Sequence, residues 1–271
     1  MKKLIAFLLT AVLCTAALTG CGSEEASNKD VTGDGTSAEA IADGTNPEEA
    51  VLVFGTNAEF PPFEYLGDDG EPDGFDIALI KAVGEKMGMQ VEIQNMEFAS
   101  LVAAIGTKID GAIAGMTVTE ERKAAVDFSD PYYEAVQYVI VPFGSDITTA
   151  EDLKGKNIGV QLGTTGMIIA ETIEGANVQS YNKAVDAVND LNNGRVDLVI
   201  IDKNPAEVFV SKFSDKLTAM EGAQFEFETE EYAIALPKGS DLVEKVNAAL
   251  AELKADGTFD ALVAEYIGAV E

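Results

Sequence analysis

The chain has 271 residues, enough for one large domain or two of medium size, and its 47% hydrophobic content can bury a substantial core. Its net charge of −29, from 47 acids against 18 bases, argues against a nucleic-acid or anionic-membrane surface and predicts a solvated, self-repelling exterior. The absence of histidine excludes Ser-His-Asp and Cys-His catalysis and His-ligated metals; with both cysteines, Cys14 and Cys21, in the first 21 residues, no metal site or cofactor is expected.

The N-terminus opens with Lys2 and Lys3 and then runs apolar from Leu4 to about Leu18. This is the pattern of an export signal, too short and wrongly flanked for a stable membrane span. It ends in Leu18-Thr19-Gly20-Cys21, which resembles the bacterial lipobox. Cleavage over residues 1–20 would leave Cys21 to carry a diacylglycerol. Residues 21–50 hold no aromatic and almost no apolar periodicity, so they read as a flexible tether that holds a body outside the cell membrane.

From Val51 short apolar strands alternate with amphipathic helices. "VLVFGT" reads as a buried strand, and "GFDIALIKAVGEKMG" places Phe75, Leu79, Val83 and Met87 on one helical face, with Gly88 as C-cap. "MQVEIQNM" alternates as a strand, "ASLVAAIGTK" reads as a helix and "IDGAIAG" as a strand. Then Thr119 suits a helix N-cap, with Glu120 and Glu121 in the first turn. Arg122 sits in that same turn, where the helix dipole opposes a cation by roughly 0.3–1 kcal/mol.

The second half repeats this logic. "TAEDLKG" predicts a short helix, "KNIGVQ" a strand, "LGTTGMIIAETI" a turn entering a helix, "AVDAVNDLNNG" a helix and "RVDLVIID" a strand. Asn204, Pro205 and Glu207 suggest an N-cap, a proline at the first helical position and an acid two residues on. The similar helix-turn-Asp-strand passages around Asp110 and Asp197 suggest two related lobes. The strand and two helices after Glu231 can return to complete the first. The fold class expected is α/β with two lobes and mostly parallel sheet.

Ligands of open α/β sheets bind beyond the carboxyl ends of strands. Those ends carry Asn57 and Phe60; Gly115, Thr117 and Arg122; Gln161 with the turn Gly163-Thr164-Thr165-Gly166; and Asp202. Read alone, the glycine-flanked turn is an anion-favouring helix start or an ordinary connection. No Lys-Ser/Thr pair follows it, as a phosphate loop would require. Arg122 can hold a carboxylate bidentately or form a surface ion pair with Glu120, Glu121 or Asp127. Asp202 can hold an ammonium or cap a helix. Arg122 and Asp202 together match the two charges of a free α-amino acid, and Phe60 and Phe98 can flank its side chain or pack as core.

The segments "GTNAEFPPFEY", "GFDIALIKAV", "FASLVAAI", "IDGAIAGMTVTEERKAAVDFSDPYY", "GVQLGTTG" and "VDLVIIDKNPA" resemble, in this order, the family 3 solute-binding proteins of polar amino-acid ABC importers. The resemblance, nearest to glutamine- and arginine-binding members, runs from Val51 to the C-terminus. It implies a type II periplasmic-binding-protein fold, with lobe 1 at 51–133 and 232–271 and lobe 2 at 134–231. Two hinge strands, near Tyr132–Ala135 and Phe227–Glu231, would flank the ligand cleft. It implies that Arg122 binds the α-carboxylate, assisted by backbone N–H groups around Thr165 and Thr117. The α-ammonium would meet Asp202, the Gly115 carbonyl and the Thr117 hydroxyl. Asn57, Phe60, Phe98 and Gln161 would surround the side chain, with Thr164 in the same site.

Ala78 stands where the family usually has a second acid, and Met167 where a polar residue is common. Asn57 stands where cation binders often carry Asp, which favours a neutral polar side chain, while Glu59 nearby can restore an acidic contact. The implied function is a monomeric binding lipoprotein that delivers a polar L-amino acid, neutral or cationic, to a membrane permease. The alternatives are a dehydratase on the same scaffold, with Glu59 as its general acid, and a sensory receptor.

Overall fold

The computed structural model describes residues 51–213 and 215–268. The export signal, the Cys21 lipidation site and the tether lie outside the described residues. The body begins with β1 (Val51–Thr56), which leads into a small antiparallel sheet of β2 (Glu59–Phe60), β3 (Glu64–Leu66) and β4 (Pro72–Asp73). Helix α1 (Phe75–Met87) then buries Phe75, Leu79 and Val83, each worth about 1.5–3 kcal/mol of apolar transfer. Gly88 ends it in the left-handed region at φ 67°.

Next come β5 (Gln90–Asn95), a 3₁₀ turn at Phe98–Ser100, α2 (Leu101–Ala104), β6 (Gly111–Ala112), α3 (Glu120–Ala125) and β7 (Val126–Phe128). The helix expected over 99–108 is only one turn of 3₁₀ and one of α. Ile105 turns to extended backbone, and Gly106 takes φ 76°. Thr119 caps α3 as expected, its Oγ1 accepting from the Arg122 N–H at 3.1 Å.

The chain crosses at 129–132 to a second sheet. That sheet is built from β8 (Tyr133–Pro142), β9 (Asn157–Gln161), β10 (Asn177–Tyr181), β11 (Leu198–Asp202) and β12 (Leu217–Glu221). The helices α4 (Thr165–Thr172), α5 (Ala184–Asn192) and α6 (Lys203–Ser211) connect them. A return strand, β13 (Thr229–Tyr232), pairs antiparallel with the start of β8. The chain then re-enters the first sheet as β14 (Ala235–Pro237) and closes with α7 (Leu242–Asp256) and α8 (Thr258–Leu262).

The strand orders are β5-β1-β6-β14-β7 and β10-β9-β11-β8-β12. Each lobe is therefore an α/β sheet whose strands run mostly one way, as expected, with one reversed strand in each. β14 runs antiparallel to β6 and β7, and β8 antiparallel to β11, β12 and β13. The reason is topological: strands arriving from the other lobe need no helical crossover and can enter against the local direction. Among the described residues no helix is long and apolar enough to cross a membrane.

One close approach fixes the second lobe. A Cβ on Gly222 would lie 1.9 Å from the Gln137 carbonyl oxygen, a backbone atom that cannot rotate away. Gly222→Ala is expected to cost about 2–3 kcal/mol and to lower Tm by roughly 4–12 °C in a domain of this size. Differential scanning calorimetry checks this, and an unchanged Tm would contradict the packing.

Candidate ligand-binding site

A cavity with about 300 Å³ of empty volume lies between the carboxyl ends of the two sheets. It is lined by Asn57, Phe60, Glu64, Phe98, Ala114, Gly115, Thr117, Arg122, Gln161, Thr164, Thr165 and Asp202. All ten residues expected from the sequence meet there.

Arg122 enters from α3 and is buried at 9% exposure. Its Nη1 donates to the Thr117 carbonyl at 2.6 Å and its Nη2 to the Gly163 carbonyl, across the cleft, at 3.0 Å. The guanidinium carbon stands 5.4 Å from the centre of the Phe98 ring, a cation–π distance. The alternative surface pairs do not form: Glu120 pairs with Lys123 and Asp127 with Lys238. Burial lowers the Arg122 pKa, while Glu230 and Asp202 hold it up. A guanidinium has five donors, so three N–H groups are not used by these two carbonyls.

Asp202 ends β11 and is also buried. It occupies the N-cap position of α6 but makes no side-chain cap bond. Instead its Oδ1 accepts from the Tyr232 hydroxyl at 2.5 Å. Burial, and then the Glu230 charge, push its carboxyl up to about 7; the bonds from Tyr232 and Gln137 pull the other way. Asn204, expected as the N-cap, lies inside the helix and accepts from Tyr133 Oη at 2.9 Å. The helix starts two residues earlier because Pro205 is tolerated anywhere in a first turn, where its missing N–H has no intrahelical partner.

The remaining walls are mainly neutral. Thr164 caps α4, accepting from the Met167 N–H at 3.3 Å. Gly115 is in the left-handed region at φ 52°, with the Phe60 ring 3.1 Å from where a Cβ would stand. A side chain there would be strained and would push that ring into the cavity. Gln161 Nε2 donates to Asn57 Oδ1 at 2.8 Å, an amide bridge between lobes.

Four polar residues escaped the sequence reading. Glu230, on β13, accepts through Oε2 from Thr117 Oγ1 at 2.6 Å and Thr165 Oγ1 at 2.8 Å. Gln137, directly opposite Asp202 in the β8–β11 pairing, donates to Thr165 Oγ1 at 3.3 Å. Asp76 accepts through Oδ2 from the Gly115 N–H at 2.7 Å and from Tyr132 Oη at 2.8 Å. Glu64 faces Asp76 with both side chains fully buried.

As two carboxylates, that pair would leave both Glu64 oxygens and Asp76 Oδ1 without a donor. A shared proton removes the conflict, and it belongs to Glu64. Burial and then the Asp76 charge raise Glu64 well above the carboxylate range, whereas Asp76, with two donors, rises only to about 6. The only sequence signal for the pair is two acids embedded in apolar runs, "PPFEY" and "GFDI".

Two α/β lobes joined by two crossings, with a polar cavity between their strand ends, define a type II periplasmic-binding-protein fold. The chain belongs to the bacterial extracellular solute-binding proteins, family 3, whose model matches residues 52–269. It is 35% identical over 266 residues to the arginine-binding extracellular protein ArtP of Bacillus subtilis (strain 168), covering 97% of this chain and 96% of that protein. A solved ancestral arginine-binding protein bound to arginine matches with TM-score 0.75 and 41% identity, over 80% of this chain and 98% of that one. An ancestral arginine-binding protein bound to glutamine matches with TM-score 0.74 and 41% identity, over 81% and 99%.

Proposed function

We propose that the chain captures a free polar L-amino acid, neutral or cationic, in the interlobe cavity and delivers it to the permease of an ABC importer. The observation that carries this reading is a buried guanidinium and a buried carboxylate, supplied by different lobes, lining one small cavity. In this reading Arg122 clamps the α-carboxylate with its uncommitted N–H groups. Backbone N–H groups near Thr117 and Thr165 assist. Asp202, the Gly115 carbonyl and the Thr117 hydroxyl hold the α-ammonium, and Thr164 helps to close that end. Asn57, Phe60, Phe98 and Gln161 form the side-chain compartment.

The paired segments near Tyr132–Ala135 and Phe227–Glu231 act as hinges between lobe 1 (51–133 and 232–271) and lobe 2 (134–231). The ligand touches both lobes, so its binding free energy shifts the population toward closure. The family is extracellular. We assign the anchor to a lipid on Cys21, with residues 22–50 as the tether and a monomer as the working unit. The dehydratase alternative loses its general acid: Glu59 does not line the inner cavity and is paired with Lys183.

Thermal melting against a panel of L-amino acids tests the reading. One or a few should stabilise the protein by about 2.7 kcal/mol at 100 times Kd, a rise of several degrees in Tm. No shift with any of them, together with no calorimetric heat, would refute it.

A further inference from the structure

Glu59 is the acid that the inner site leaves unused. It stands on β2, and its Oε1 accepts from Lys183 Nζ at 2.5 Å. Lys183 immediately precedes α5 in the other lobe, so the pair crosses the mouth of the cleft. Asn57 lines both the inner cavity and a wider groove with about 1430 Å³ of empty volume, whose walls include Glu59, Glu97 and Lys183. What separates the two spaces is the amide bridge: Gln161 Nε2 donates to Asn57 Oδ1 at 2.8 Å and to the Asn182 carbonyl at 3.1 Å. A ligand anchored at Arg122 and Asp202 would send its side chain past Phe60 and Phe98, meeting neutral amides first and Glu59 beyond them.

We propose that Lys183 is a specificity-determining residue. By holding Glu59 it denies a ligand's terminal cation its counter-ion and biases the site toward uncharged side chains. The inference rests on the amino-acid-binding reading above. The physics is an exchange. Glu59 is mostly shielded, at 19% side-chain exposure, while Lys183 is about half exposed, at 47%. An incoming cation must replace an ammonium already in hydrogen-bond contact, so the attraction gained is offset by the one lost. It also arrives beside a like charge. Asp186 and then Glu97 add weaker coulombic attraction to the Lys183 ammonium. A neutral side chain meets no such competition.

The test compares L-arginine with L-citrulline, which share a shape and differ in charge, by calorimetric titration of the wild type, Lys183→Met and Glu59→Gln. Lys183→Met should raise the arginine-to-citrulline affinity ratio by about fivefold, the scale of one half-exposed ion pair. Glu59→Gln should lower that ratio, because it leaves the Lys183 charge unpaired. If the wild type binds amino acids but Lys183→Met leaves the ratio within about twofold, Lys183 has no role in selectivity. A fall of both affinities by one common factor would overturn the proposal too, since the pair would then be a latch alone. A wild type that binds no amino acid at all sinks the parent reading, and this inference with it.

Discussion

Arg122→Ala is expected to weaken the binding of any α-amino acid by about 10²- to 10³-fold, with the fold retained. The guanidinium is buried, stacked on Phe98 and fixed by the Thr117 and Gly163 carbonyls, so its remaining donors are held in place before a ligand arrives. Truncating one partner of a buried, hydrogen-bonded charge pair costs about 3–5 kcal/mol, largely because the other charge is left unpaired. In the proposed binding mode that other charge is the ligand's carboxylate, so the loss falls on affinity. The two freed carbonyls face a site that can admit water, so the melting temperature without ligand should move far less than the affinity. Arg122→Lys separates charge from shape: it keeps the cation but loses the planar fork, and should still lose about tenfold or more. Calorimetric titration reads both variants. An Arg122→Ala protein that binds within about threefold of wild type would show that the carboxylate sits elsewhere.

The arginine was legible in the sequence because it violates a local rule. A cation in the first turn of a helix already capped by Thr119 gains nothing locally, so its reason must be tertiary. Asp202 was legible for a similar reason, as a charge at the end of "LVII" where the strand had been wholly apolar. Helix α1 was written at spacing four and closed by Gly88, all within one stretch of chain. What the sequence hid depends on pairing between distant segments. Gln137 becomes a site neighbour only because β8 runs antiparallel to β11 and sets it opposite Asp202. Glu230 reaches Thr117 and Thr165 only because β13 returns beside β8. Glu64 follows an ordinary strand pattern, and nothing local says that its neighbour will be Asp76. The one reversed strand in each sheet, β8 and β14, is hidden on the same grounds, since helical spacing reports crossovers and is silent on returns.

Affinity should also rise with pH, by about fiftyfold between pH 5 and pH 7, because Asp202 must be ionised to hold an ammonium. With its carboxyl pushed up to about 7 by burial and by Glu230, roughly one molecule in a hundred carries the charge at pH 5 and about half at pH 7. An α-ammonium remains largely protonated over that range, so the change belongs to the protein.

The stability of the protein without ligand runs the other way. Asp202 at about 7 and Asp76 at about 6 both lie above the ordinary aspartate value. Between about pH 4 and pH 7 the native state therefore binds more protons than the unfolded chain. The unfolding free energy then falls as pH rises through that window. The shared proton on Glu64 acts in the same direction. In the proposed binding mode an ammonium takes the place of the proton and reverses the Asp202 part, so ligand-induced stabilisation should be greatest near neutrality. Asp202→Asn keeps an acceptor for Tyr232 Oη but removes the charge. Its affinity should be about 10²-fold weaker at pH 7 and nearly flat from pH 5 to 7. Titrations at constant ionic strength decide the matter: a wild-type Kd that does not change across this range would mean that the Asp202 carboxylate does not receive the ligand's ammonium.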